Sequence, residues 1–347
     1  MRSSRSKRVG ASALALLLAL GFGRSAVAED KLVVSSWGGP WKDLIQNTVA
    51  AAFTKETGMP VDIVTGGTMD RLAKAKFAGN DPESDVTLTT EQVAWLYASD
   101  NLLLQPDLAK LPNAKTLFPQ AVTGSGCVGL FSFVYSIVYR KDLVPNASFA
   151  SWQDLWNPAY ADKVGVPDFD PSNMIAVAAK LSGVEITDWR KATDLLLKLK
   201  PNVKSYYSTD AQTQEMMVRG DTPVEVMLSG NYYYLKKNGT AVEMPIPKEG
   251  AVAGVDCVAI NKGTKHEAAA MKFLDIAFRP EIQGAIATTM QVGPMTSNAA
   301  IPADFANLPG ILTTADQWSK MIVIDPKLRA KLLPEWRAWF TENMARK

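Results

Sequence analysis

The chain has 347 residues, a formal net charge of +2, one histidine and two cysteines, and 47% of its residues are hydrophobic. That apolar share suits an ordinary globular protein, and interspersed basic and acidic residues leave no electrostatic footprint for nucleic acid or an anionic membrane. A single histidine excludes a histidine-built zinc site, and a Ser-His-Asp machine would have to rest on His266, in the polar stretch Lys262-Gly-Thr-Lys-His-Glu, where a solvated position is expected.

In chain order, Arg2, Arg5, Lys7 and Arg8 precede an apolar run from Ala11 to Phe22, and Ala26-Val27-Ala28 supplies small residues at cleavage spacing. This predicts a secretory signal peptide over 1–28. The run is shorter than the roughly 20 residues of a membrane-spanning helix. The segment has neither a cleavage-site cysteine for lipidation nor a consecutive arginine pair, so a soluble periplasmic protein is expected. Removing the segment's five basic residues turns +2 into −3. About 320 mature residues exceed what one core usually organises, which predicts two lobes. In an oxidising compartment the pair Cys127 and Cys257 predicts one disulfide, with two separate buried thiols as the alternative.

Residues 31–36 read as a short buried strand, and Trp41 to Thr57 repeat apolar residues at helical period until Gly58. Pro60-Val-Asp-Ile-Val resumes as strand, completing a βαβ signature. A second cycle follows: helix over 69–77, strand over 84–89, and helix over 91–99 with Trp95 on its apolar face. The apolar and aromatic run Val128 to Tyr139 reads as a long strand carrying the chain into a second lobe. There, Ser151 opens a helix holding Trp152, Leu155 and Trp156, and strands are expected at 163–167 and 224–228 with helices over 172–181 and 187–199. The strand 251–260 then returns to the first lobe, which also takes the helix 267–278 and the helical tail 327–344. The prediction is α/β, with lobe 1 from 29–130 and 260–347 and lobe 2 from 131–259.

Several segments carry a resemblance to the extracellular solute-binding proteins of ABC importers, nearest the polyamine-binding branch. They are Ser36-Trp37-Gly38-Gly39, Phe53-Thr-Lys-Glu-Thr-Gly-Met-Pro-Val, Ser84-Asp-Val-Thr-Leu-Thr and Ser151-Trp-Gln-Asp-Leu-Trp-Asn-Pro. Later come Pro247-Lys-Glu-Gly, Val255-Asp-Cys-Val-Ala-Ile-Asn-Lys-Gly, Arg279-Pro-Glu and Gly293-Pro-Met-Thr. The resemblance implies a type 2 periplasmic binding protein fold with two hinge-crossing strands and a ligand cleft between lobes. It implies capture by cleft closure, docking on an inner-membrane ABC permease, no catalysis and no cofactor; a monomer is expected.

For a ligand amine, the resemblance points to Trp37, Thr89, Thr90, Asp256 and, approximately, Asp170, because ammonium groups are held by ring faces and charge-assisted hydrogen bonds. For Asp168 and Asp170, flanking Phe169, simple helix capping is the competing reading. Three positions depart from a diamine pattern: Gly39 and Asn173 stand where acids are expected, and Gly254 where a tryptophan is. A polyamine and a compact amine or zwitterion both remain open, with Gly39 and Asn173 at helix starts suited to an anionic group. Ser229, Asn231 and Tyr232 are further cleft candidates. Tyr232-Tyr233-Tyr234 also resembles the tyrosine pair of ferric-ion binders of this fold, and packing is the competing reading. A second alternative is a secreted enzyme on this scaffold using Cys127 or Cys257 as nucleophile with Asp256 as base, a role resembling that in thiamin-degrading enzymes.

Overall fold

The computed structural model describes residues 30–345; the expected signal peptide lies outside the described residues. The chain opens β1 (Leu32–Ser36), α1 (Pro40–Ile45), a π-helical turn and α2 (Ala51–Thr57), then β2 (Val61–Thr65), α3 (Thr68–Ala78), β3 (Val86–Thr90) and α4 (Glu91–Ser99). Gly58 stops α2 in the left-handed conformation, φ 74°, which a side-chain-bearing residue adopts at a cost. The long strand β4 (Cys127–Arg140) follows, then β5 (Val164–Pro167), α5 (Ser172–Leu181), α6 (Thr193–Leu199), β6 (Val203–Tyr207), α7 (Asp210–Arg219), β7 (Val224–Leu228) and α8 (Ser229–Lys237). The chain continues through β8 (Val242–Glu243), β9 (Val252–Ile260), α9 (Glu267–Ala277), α10 (Pro280–Met290), β10 (Gly293–Pro294), α11 (Ala303–Ala306), α12 (Ala315–Ser319), β11 (Ile322–Val323) and α13 (Pro326–Phe340).

The main sheet runs β2-β1-β3-β9-β4-β7-β5-β6. β1 pairs in parallel with β2 and β3, and β5 with β6 and β7, as βαβ crossovers require. Between these parallel halves run β9 and β4, antiparallel to each other over most of their length. Residues 256–260 of β9 pair with β3, while residues 135–139 of β4 pair with β7. Two strands therefore cross from one half of the sheet to the other, as expected. One core packs β1, β3, α2 and α9 through Val34, Phe53, Val86 and Phe273. Another packs β5 and β7 through Trp152, Val164, Ile175 and Val226.

Some expectations are revised. Residues 152–156 form a 3₁₀ turn, not an α-helix, and Asp154 completes a capping box with Ser151. The helix expected over 187–199 is a 3₁₀ segment to Ala192 followed by α6, broken at Asp188. α13 of the tail packs against α4 and also places Trp336 and Phe340 in the core of β5 and β7. His266 is not simply solvated: its Nδ1 lies 3.0 Å from Asp85 Oδ1. Trp95 lies outside the buried face of α4 (Val93, Ala94 and Tyr97), beneath the ammonium of Lys327.

Candidate functional site

The site grows from the carboxyl ends of β1 and β3 and the crossing of β9 and β4. Trp37 leaves β1, and its Nε1 donates to Thr68 Oγ1 at 3.0 Å. The indole lies 6.2 Å from the Phe131 ring, on which Trp41 stacks at 4.3 Å. Register places Thr90 of β3, Asp256 of β9 and Phe131 of β4 side by side, and alternation puts such cross-strand neighbours on one sheet face. Thr89 pairs with Cys257 and so faces the opposite side, toward the disulfide joining Cys127 and Cys257. Asp256 Oδ1, Thr89 Oγ1 and Thr90 Oγ1 are out of solvent without a hydrogen-bond partner.

Buried carboxyls resist ionisation because water no longer solvates their charge. Burial pushes Asp256 up to about 8, against the opposing pull of Arg329, and nearby Glu91 pushes it further up. Glu91, the first residue of α4, is raised to about 7, again by burial. The Tyr135 phenol is held well above its usual range by burial, reinforced by the negative charges of Asp210 and Asp170. Arg329, projecting from α13, is 8% exposed and ion-paired with Asp170, while its Nε lacks a partner. A small cavity of about 70 Å³ joins this region, lined by Glu91, Gln120, Gly254, Trp318 and Arg329 among others.

Gly254 explains the missing tryptophan. It pairs with Phe133, and a Cβ at 254 would stand 2.4 Å from Phe133 Cε2. The aromatic surface on this face comes from Phe131 and Phe133 of β4.

The remaining candidates have other attachments. Asp170 accepts hydrogen bonds from Ser172 N at 3.1 Å and Ser172 Oγ at 2.5 Å as well as pairing with Arg329, so it anchors the start of α5. Asp168 accepts from Ser208 Oγ. Asn173 is buried with Nδ2 unpartnered. Gly39 is exposed, φ 60°, just before α1. Ser229 Oγ accepts from the Val134 amide, and Asn231 bridges Gln214 and Asp210. Tyr232 is 1% exposed with its hydroxyl accepting from Lys236 Nζ, Tyr233 donates to the Pro309 carbonyl, and Tyr234 faces solvent. The Tyr232 and Tyr233 rings lie 4.9 Å apart, but the Tyr232 hydroxyl is engaged by Lys236 and the Tyr233 hydroxyl by the Pro309 carbonyl, so neither phenol of the pair is free to take iron. Among the described residues no three His, Cys, Asp or Glu side chains are grouped to hold a metal. Both cysteines are consumed in the disulfide, so the cysteine-nucleophile alternative has no thiolate to use.

Sequence reasoning missed Glu91, Phe131, Phe133 and Arg329. Glu91 follows Thr90 directly and reads as an ordinary first-turn acid, and Arg329 sits in a tail helix with no local mark of burial.

Residues 48–313 match the family described as bacterial extracellular solute-binding protein. The chain is 27% identical to the putrescine-binding periplasmic protein SpuD of Pseudomonas aeruginosa, over 94% of this chain and 95% of that one. It is also 27% identical to spermidine/putrescine-binding periplasmic protein 1 of Haemophilus influenzae, over 80% of each. Among solved structures, an ABC transporter protein from Clostridium perfringens superposes with a TM-score of 0.81 at 25% identity, covering 90% of this chain and all of that one. The Atu4243-GABA receptor superposes with a TM-score of 0.76 at 25% identity, over 89% of this chain and 97% of that one.

Proposed function

We propose that this chain, which belongs to the bacterial extracellular solute-binding protein family, captures a small amine-bearing solute in the periplasm and hands it to an inner-membrane ABC permease. Lobe 1 comprises residues 29–130 and 260–347 and lobe 2 residues 131–259, the protein acts as a monomer without catalysis, and the ligand sits where β9 and β4 cross. The observation that carries the amine is Asp256: a carboxyl beside an aromatic wall, out of solvent at Oδ1, unpartnered and raised to about 8. An ammonium supplies the charge and the donors that Asp256 lacks, with Trp37 offering a ring face. Glu91 is a second raised carboxyl nearby, and takes the part of an acid absent at Gly39 and Asn173. Thr90 adds a hydroxyl. The names of the relatives favour a polyamine.

A compact zwitterion is the second reading, favoured by the unpartnered Nε of Arg329, which suits a ligand carboxylate. The GABA receptor among the similar structures is consistent with it. Thermal unfolding of refolded, ligand-stripped protein against diamines, polyamines, monoamines, amino acids and ferric salts separates the readings. A ligand at a hundred times its Kd adds about 2.7 kcal/mol, a shift of a few degrees. No shift with any amine would refute amine capture.

A further inference from the structure

Arg71 is the anomaly outside the amine site. It leaves the first turn of α3 and dives beneath it, 7% exposed. Nε donates to the Gly66 carbonyl at 3.0 Å, and Nη1 donates to the Leu88 carbonyl at 2.6 Å and the Ser35 carbonyl at 3.2 Å. Nη2 is buried with no acceptor. Among the described residues no carboxylate lies within ion-pair distance of it, whereas the equally buried Arg329 is paired with Asp170. Asp256 acts on it only from beyond ion-pair distance; a buried guanidinium without a contacting counter-charge is costly, and folded proteins normally pair such a group.

Beside Arg71 lies a cavity of about 180 Å³, lined by Ser35, Arg71, Lys74, Ser84, Thr87 and Tyr97 among others. Lys74 stands one helical turn along α3, exposed at the rim, and brings a second positive charge. Tyr97, 1% exposed, has its phenol raised by burial and is thus a hydrogen-bond donor at neutral pH. Glu83 is the one carboxylate of the lining, and its side chain is exposed to solvent, where its charge is screened.

We propose that this cavity beneath α3 is a binding site for a small oxyanion, a carboxylate or an inorganic oxyanion, with Arg71 as the charge partner and Lys74 and Tyr97 as further donors. The guanidinium carbon also lies 5.5 Å from the Trp37 ring. An anion on Arg71 therefore offsets a positive charge beside the ring face assigned to the ligand amine, and the two sites should assist each other.

The test uses refolded, ligand-free protein and isothermal titration with acetate, sulfate and phosphate, at ionic strength held constant with sodium chloride. The expected result is a saturable isotherm of one anion per chain for at least one probe, weakened threefold or more by both Lys74→Gln and Tyr97→Phe. A carboxylate preference would show with acetate, an inorganic oxyanion preference with sulfate or phosphate. No saturable binding, or binding that both variants leave at the wild-type level, overturns the proposal. The measurement needs no amine, so its failure is separate from failure of the amine reading.

Discussion

Replacing Asp256 by asparagine keeps the side chain's size and removes its titration. In the folded chain this carboxyl is raised to about 8, whereas the unfolded value is near 3.9. A raised acid contributes its stability fully below the unfolded value and loses it as pH climbs to the folded one, because over that window the native state keeps a proton that the unfolded chain has released. One proton corresponds to about 1.4 kcal/mol per pH unit. The wild type should therefore lose about 2–3 kcal/mol relative to Asp256→Asn between pH 5 and pH 7, while every group the two proteins share cancels from the difference. Urea unfolding of both ligand-free proteins across that range measures it. The linkage also runs through the ligand: a bound ammonium favours the ionised carboxylate, so amine affinity of the wild type should rise by up to about tenfold per unit from pH 6 toward 8, and the variant should bind weakly at all pH values. A stability difference that stays flat from pH 5 to 7 would show Asp256 already ionised and would sink the electrostatic reasoning.

Other perturbations address the frame around the site. The disulfide closes a separation of 130 residues, for which the chain-entropy relation gives about 5 kcal/mol; the double replacement of Cys127 and Cys257 by alanine should approach that loss in urea unfolding while amine binding persists, since the pair faces away from Asp256. Arg329→Gln would leave Asp170 buried without its cation, an expected cost of about 3–5 kcal/mol in the same assay, whereas Gln at an exposed arginine such as Arg190 should change little. Gly254→Ala places a Cβ against the Phe133 ring and should cost about 1–3 kcal/mol; Phe133→Leu in the same chain should recover part of it. If the single Gly254 variant were neutral, the ring would have another place to go and the cross-strand account of the missing tryptophan would fail.

Much of the architecture was legible because the parallel strands and their helices obey simple periods. β1, α3, α4 and α5 fall within a residue or two of where apolar spacing put them, since each buries one clear face. β6 and α7 escaped notice for the opposite reason. α7 buries only Thr213 and Met217, four residues apart, and is otherwise polar, so its period carries little apolar signal. The 3₁₀ turn at Trp152–Trp156 mimics an α-helix in sequence because i,i+3 and i,i+4 spacings of large residues look alike over five positions.

At the site the division is sharper. The family resemblance pointed to Trp37, Thr90 and Asp256 as ligand candidates, and the cysteine count predicted the one disulfide that forms. Tertiary structure decided the rest. Register across β4 and β9 turned Gly254 into room for Phe133 and set Thr89 on the far face, and the fold of α13 over both α4 and α5 brought Arg329 to Asp170 across 159 residues. Apolar periodicity is a local property that a strand or helix displays in its own residues. Charge pairing, burial and the raising of a carboxyl are properties of neighbours, and neighbours from distant parts of the chain exist only once the chain has folded.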